Sequence, residues 1–196
     1  MTALILPGPG GLIVAGRPGF TTFNPADKSA NLTLSNGNLT VAENTNTVNG
    51  DEARSIAHHS TGKYYAESTI DVFANAFGAG VAVCDASLII TNGTASTAHG
   101  ASYDSDGWIR GNNGNLVNTG VTFTTGDRIG SEVDCDARTF RVCKNGGSWS
   151  SLADISYITG ELYYACYCYG TVNNQITTNF GATAYVDTPP VGASNW

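Results

Sequence analysis

The sequence predicts an all-β fold: an antiparallel two-sheet β-sandwich carrying an extended N-terminal arm. Three observations lead there. Charged residues make up only 13% of the chain, about half the usual share, while glycine accounts for 24 of 196 residues. Exposed helices are built on Glu, Lys and Arg, so a chain poor in them and rich in Gly, Thr, Asn and Ser covers itself with strands and turns. From Phe20 onward, short runs alternating apolar with polar residues are separated by Gly/Asn/Asp clusters at the spacing of a sandwich. No stretch sustains a helical period, and residues 53–58 form one turn at most.

Taken in order, residues 1–19 form the arm. Leu4-Ile5-Leu6 and Leu12-Ile13-Val14 are apolar pieces separated by Pro7-Gly8-Pro9-Gly10-Gly11. That break, with no Lys or Arg before it, does not suit a signal peptide. The arm either covers a sheet edge of its own domain or pairs with an edge strand of a neighbouring subunit and anchors the chain there. Residues 20–187 are the sandwich. Strands are expected at 30–34, 39–41, 55–58, 63–72, 77–83, 108–110, 128–134, 139–144, 162–168 and 175–180.

The turns have their own chemistry. Ser35-Asn36-Gly37-Asn38 and Lys144-Asn145-Gly146-Gly147 supply the Asn-Gly pairs that accept positive φ in tight hairpins. Asp136-Ala137-Arg138-Thr139 joins Val133–Cys135 to Phe140–Val142 as a hairpin. Asp187-Thr188-Pro189-Pro190 ends the last strand and leaves residues 188–196 as a short C-terminal tail.

Composition narrows the function classes. The net charge is −7 and the nine basic residues are scattered, so no basic stripe is present to meet phosphates, and nucleic acid is not expected as a partner. The longest apolar runs, Val81–Cys84 and Leu88–Ile90, fall far short of the roughly 20 residues of a spanning helix, so membrane insertion is not expected. Cys84, Cys135, Cys143, Cys166 and Cys168 are odd in number and contain no CxxC pair. They read as buried core thiols of a chain folded in a reducing cytoplasm, ahead of a disulfide or metal site.

Several segments resemble the SPRY family. Gly62-Lys63-Tyr64-Tyr65-Ala66-Glu67 is similar to its early Gly-Lys-x-Tyr-x-Glu strand, and Gly80-Val81-Ala82 with Asp85 to its Gly-Val-Ala strand. Ser102-Tyr103-Asp104-Ser105-Asp106-Gly107 stands where the family has an aromatic stretch leading into a glycine turn. The best match is Gly126-Asp127-Arg128-Ile129-Gly130, followed by Asp134-Cys135-Asp136 and Lys144-Asn145-Gly146. Gly160-Glu161-Leu162-Tyr163 and Asn179-Phe180-Gly181 complete an ordered set across residues 20–185. Departures are Tyr164 at a usual proline, no Trp near Tyr65–Ala66, and cysteine for aliphatics at 135, 166 and 168. These swaps keep the positions apolar. The resemblance implies a binding module that works through variable loops, not an enzyme, with no cofactor. Phe23-Asn24-Pro25-Ala26-Asp27-Lys28-Ser29 and Asn179-Phe180-Gly181-Ala182 look like SPRY-type modules of bacteriophage and bacterial proteins.

Candidate site residues divide by chemistry. Asp134 with Asp136, and Asp104 with Asp106, sit at i, i+2 spacing, which places two carboxylates on one strand face. Asp104-Ser105-Asp106-Gly107 lacks the further ligands and distal Glu of a calcium loop, and Asp136 more simply starts a turn. His58 and His59 point to opposite strand faces, and His99 has no Cys or carboxylate beside it, so no metal site is expected. No nucleophile motif is present, and no catalytic residue is assigned. Asn31, Asn38 and Asn92 match glycosylation sequons by chance in an Asn/Thr-rich chain. Aromatics in or beside loops are the better binding candidates: Tyr103, Trp108 and Trp149, with Asp104, Asp106 and Arg110 giving hydrogen-bond direction. Trp108 and Trp149 equally suit closing the ends of the sandwich, and Trp108 leans to the core. Along residues 163–169, Tyr164, Cys166 and Cys168 face the core; Tyr163, Tyr167 and Tyr169 share the other face, as a contact surface or packed under a loop.

These readings combine into an expectation: a virion accessory protein, as capsid decoration, head fibre or tail component. Leu4, Ile5, Leu6, Leu12, Ile13 and Val14 fasten it to capsid or tail proteins, and the loops engage a host-surface protein or glycan. A homo-oligomer fits the same scheme. The other expectations are a cytoplasmic adaptor binding a peptide segment of a partner, and a glycan-active enzyme requiring two facing carboxylates in a groove.

Overall fold

Alternating apolar runs become paired strands because each can bury one face only against a second sheet. The computed structural model of the chain describes residues 20–45, 47–74, 78–170 and 173–196. Its strands are β1 (Phe23–Lys28), β2 (Leu32–Ser35), β3 (Thr40–Glu43), β4 (Thr47–His59), β5 (Lys63–Val72), β6 (Ala79–Cys84), β7 (Gly100–Tyr103), β8 (Trp108–Gly111), β9 (Gly114–Asn118), β10 (Arg128–Asp134), β11 (Thr139–Lys144), β12 (Ala153–Asp154), β13 (Leu162–Gly170), β14 (Gln175–Asn179) and β15 (Ser194–Asn195). A seven-stranded sheet runs β1-β4-β13-β6-β7-β8-β9; an eight-stranded sheet runs β12-β11-β10-β5-β14-β3-β2, with β15 added beside β5. The one helical turn among the described residues is a 3-10 turn at Thr94–Ser96.

The core lies between the two inner faces. Val81, Tyr103, Ile109, Tyr164 and Cys166 of the first sheet meet Ala66, Ile70, Ile129, Val133, Phe140 and Ile176 of the second, all buried. Each large apolar side chain buried this way contributes about 1.5–3 kcal/mol. One polar chain runs through the interior: the Tyr164 hydroxyl meets Ser68 Oγ at 2.9 Å, and Ser68 Oγ meets Thr178 Oγ1 at 2.7 Å. Each hydroxyl therefore keeps a partner away from water.

The turn chemistry reads as expected. Asn36, Gly37 and Asn38 all have positive φ, as do Arg138 between β10 and β11 and the pair Asn145-Gly146. Several elements differ from the sequence reading. Residues 53–58 form no helical turn; they lie inside β4, where Ala53 pairs with Lys28 on one side and Cys166 on the other. β1 is an additional strand, and Pro25 is accommodated because β1 is a sheet edge with an irregular register. β7, β9 and the short β12 and β15 are likewise additional. The expected strand at 30–34 is displaced to β2. The expected strand at 77–83 begins outside the described residues and is seen as β6.

The last residues are not a free tail. β15 pairs in parallel with Tyr64 and Tyr65 of β5. Trp196 is 4% exposed, its backbone N–H donates to Tyr65 O at 3.0 Å, and its indole N–H donates to Ser55 Oγ at 3.0 Å. The indole stands against the rings of His59, Tyr64 and Tyr164. The arm, with Leu4, Ile5, Leu6, Leu12, Ile13 and Val14, lies outside the described residues. The chain joins the sandwich at Thr21 and Thr22, which accept hydrogen bonds from the Ala57 and Ile56 amides of β4, both at 2.8 Å.

Replacing Trp196 with Ala removes this plug and its indole hydrogen bond to Ser55 Oγ, which keeps its bonds to Ala57 O and the Tyr164 amide. Urea unfolding of Trp196→Ala is expected to show a loss of about 3–5 kcal/mol; a loss under 1 kcal/mol would mean the tail is an ornament.

Candidate functional site

β13 is apolar on both faces, and this decides how the outer face of the seven-stranded sheet is built. Tyr164, Cys166 and Cys168 enter the inter-sheet core, whereas Ala165 and Tyr167 join Ala82, Cys84 and Leu88 in a second buried cluster outside it, with Tyr163 packed alongside. Leu88 belongs to the β6–β7 connection, residues 85–99, which crosses this outer face. Of the two sequence readings for these tyrosines, packing under a loop describes Tyr163 and Tyr167; Tyr169 is 38% exposed. Gly80 makes room for the Tyr167 ring: a Cβ there would collide with that ring and with Tyr103 O.

The Tyr167 hydroxyl donates to Asp104 Oδ1 at 2.7 Å, where Ser102 Oγ also donates at 2.9 Å. Arg110 Nη1 donates to Asp104 Oδ2 at 2.6 Å and to Asp106 Oδ1 at 2.8 Å; Nη2 donates to Asp106 Oδ2 at 2.6 Å, and Nε to Asn115 Oδ1 at 3.0 Å. The guanidinium is thus filled by its own neighbours. Its hydrogen bond to Asp106 holds that carboxyl below its ordinary value. The sequence put Asp104, Asp106 and Arg110 together correctly in space. Their chemistry is that of a clamp across the β7–β8 hairpin, with four of the five guanidinium N–H donors committed to neighbouring side chains.

A different feature has the form of a recognition site. At the rim where the two sheets meet, the segment after β9 and the loop after β11 enclose a shallow cleft of about 100 Å³. Its walls are Tyr103, Thr119 and Val121 on one side and Val142, Cys143, Lys144, Ser148, Trp149 and Ser150 on the other. Trp149 is held in place: the Arg141 guanidinium lies 4.8 Å from its ring centre, and the Tyr65 ring meets it edge-on at 6.2 Å. Arg141 is itself held by Glu132 at 2.6 Å. Val121 presents its backbone carbonyl to the Tyr103 hydroxyl and leaves its side chain 37% exposed. Lys144 Nζ donates to Thr122 O at 2.9 Å and faces Asp127 at 3.6 Å, so the cleft has no uncompensated cation.

The six loop candidates therefore separate. Trp149 and Tyr103 line the cleft. Tyr103 does so only from beneath: it ends β7 with its side chain inward and is 1% exposed, so it is a core residue and not an exposed aromatic. Trp108, half-buried on β8 beside Asp106, does not line the cleft. Thr119, Val121 and Lys144 were missed by sequence reasoning; the signal for Val121 was a lone aliphatic next to Gly120 in a polar run, with Gly120 at positive φ.

The remaining candidates have structural partners. Asp134 accepts from the Asp136 and Ala137 amides, and Asp136 from the Gly62 amide, so both shape turns. His58 meets Glu161 at 3.1 Å, His59 stacks on Tyr64 at 3.5 Å, and His99 meets Asp85 at 3.0 Å. Among the described residues no group of His, Cys, Asp or Glu is placed to hold a metal ion. All five cysteines are free and buried, and burial raises the Cys135 and Cys143 thiols to about 11.

Among solved structures the chain is similar to the SPRY domain of human HERC1, at 22% identity and a TM-score of 0.69 over 83% of this chain and 99% of that one. It is also similar to the TRIM65 PSpry domain, at 10% identity and a TM-score of 0.63 over 82% of this chain and 89% of that one. A human SPRY domain aligns at 14% identity and a TM-score of 0.56, covering 79% and 98%. No family model and no curated protein sequence matches the chain. The fold is SPRY-like.

Arg110→Ala leaves the buried Asp104 carboxylate without its cation. Asp106 is 31% exposed, so its own pairing is screened, and the cost is set by Asp104. Chemical denaturation is expected to show a loss of about 2 kcal/mol at pH 7. The part owed to Asp106 is present above the ordinary carboxyl value near 3.8 and disappears as pH falls through its lowered one, so the gap between wild type and variant narrows below pH 4.

Proposed function

We propose that this chain is a protein-recognition module of SPRY-like fold that reads its partner at the cleft between Val121 and Trp149. The observation that supports this most is Trp149: a half-buried aromatic ring held by Arg141 and Tyr65, lining the same cleft as the partly exposed Val121. A rigid aromatic anchor gives contact area at low entropic cost, which is the chemistry of interface hot spots. The volume argues for the class of ligand. Small-molecule sites span about 300–1,000 Å³, whereas about 100 Å³ admits a side chain or two of a larger partner. The Ser148 hydroxyl in the lining gives direction without charge, while those of Thr119 and Ser150 donate to Gly107 O and Ser151 O.

The narrower reading places this module on a virion, in the capsid or tail, anchored through Leu4, Ile5, Leu6, Leu12, Ile13 and Val14 and turned toward a host-surface protein or glycan. It rests on the phage-like segments Phe23–Ser29 and Asn179–Ala182 and on the geometry at β1. There the chain arrives at a sheet edge, from which an arm can run outward without crossing the sandwich. A cytoplasmic adaptor binding a peptide would use the same cleft with no anchor.

The experiment is selection of a displayed random peptide library on the immobilised protein, repeated with Trp149→Ala and Val121→Asp. Enriched peptides are expected to lose at least tenfold in affinity for both variants while the thermal midpoint moves by only a few degrees. Equal binding to all three proteins would remove the cleft from consideration. For the virion reading, a chain beginning at Phe20 should stay folded and fail to join particles on reconstitution; particle association equal to that of the full chain would sink it.

A further inference from the structure

Glu52 is an acid in a place built for none. It lies on β4 opposite Tyr167 and is 0% exposed, and neither carboxyl oxygen makes a hydrogen bond of ordinary geometry; only the Thr94 amide points its way. What covers it is the connection 85–99. The Glu52 backbone N–H donates to Ile90 O at 2.9 Å, and Arg54 Nη1 donates to Asp85 O at 2.8 Å. Gly50 lets Gly93 approach so closely that a Cβ would stand 3.3 Å from its Cα. At the feet of the connection, Asp85 N–H donates to His99 O at 2.9 Å, and the two side chains pair at 3.0 Å.

The one cation near Glu52 among the described residues, Arg54, lowers its carboxyl less than burial raises it. On its own strand, Asp51 repels it, and the Arg54 guanidinium is already engaged by Asp27 at 2.7 Å and 2.9 Å. Tyr167 and Cys168 on β13, Cys84 on β6 and Asp104 on β7 are neutral or acidic. Between its feet, the sequence from Ala86 to Ala98 contains no titratable side chain. Burial, before the Asp51 charge, raises the Glu52 carboxyl to about 8.

We propose that residues 85–99 form a strap whose closure requires a neutral Glu52, so that alkalinisation releases it and uncovers the Tyr167–Cys84 face of the seven-stranded sheet. The sign follows from linkage. Once the strap lifts, the carboxyl is hydrated and titrates near its ordinary value of 4.5, against about 8 when covered. Closure is therefore strongest below pH 4.5, weakens as pH rises through that interval, and changes no further above about pH 8.

The reporter is Cys84, a fully buried thiol beneath Leu88 in the covered cluster. Intact protein is treated with N-ethylmaleimide from pH 5.5 to 9 and modification is mapped by peptide mass spectrometry. Each rate is divided by that of the urea-unfolded chain at the same pH. The normalised Cys84 rate is expected to rise about tenfold per pH unit between 5.5 and 7.5 and level off above 8. In Glu52→Gln it should be flat, and Cys166, inside the inter-sheet core, should stay flat in both. A flat Cys84 profile in the wild type, an equal rise in Glu52→Gln, or Cys166 rising in step would each overturn the proposal. Hydrogen exchange of the Glu52 amide in the wild type, normalised the same way, must follow the Cys84 profile. That requirement decides the matter even if the variant does not fold.

Discussion

The structure depends on one strand being apolar on both faces. β13 sends Tyr164 and Cys166 into the space between the sheets and Ala165 and Tyr167 out of it. A strand of this kind needs two covers, as central strands of layered sheets do. The second sheet is one cover. The other has to be made from a connection, and the long segment between β6 and β7 serves. Much of the local chemistry follows: Gly80 yields space to Tyr167, Tyr167 ends on Asp104, and Asp104 orients Arg110 across the hairpin.

This ordering explains why two groups of candidate residues ended in different roles. Asp104, Asp106 and Arg110 combine opposite charges and a glycine turn, the composition of a binding loop. The carboxylates and the guanidinium are joined by three hydrogen bonds, and their work is mechanical. Trp149 looks similar in sequence, an aromatic in a Ser/Gly loop, yet its ring is held by Arg141 and Tyr65 and also lines the cleft. Which side of an aromatic is left open is a property of packing, and local sequence does not encode it.

The legible part of the fold was the part governed by local rules. Alternation located β5, β10, β11, β13 and β14, and Asn-Gly pairs located the β2–β3 turn and the turn after β11. Elements that depend on a distant partner were not legible. β1 contains Pro25 and was not expected as a strand; its position at a sheet edge makes the proline harmless. Residues 194–196 show no alternation; what makes a strand of them is a vacant stretch of β5 beyond the end of β14, into which Trp196 settles. Tyr103 was misread as exposed because the Asp-Ser-Asp-Gly turn begins immediately after it, and the last residue of a strand still obeys the strand's alternation.

The fit between Gly80 and Tyr167 also bears on how such a chain can change over generations. Any side chain at 80 meets the ring at 167, so the first step away from this pair is a clash. A smaller residue at 167 leaves a void and leaves Asp104 Oδ1 with Ser102 Oγ alone. Neither position has a neutral first move, and the two are expected to be inherited as a unit. Drift is then confined to positions such as Ile89, which lies 64% exposed on the outside of the strap and touches neither.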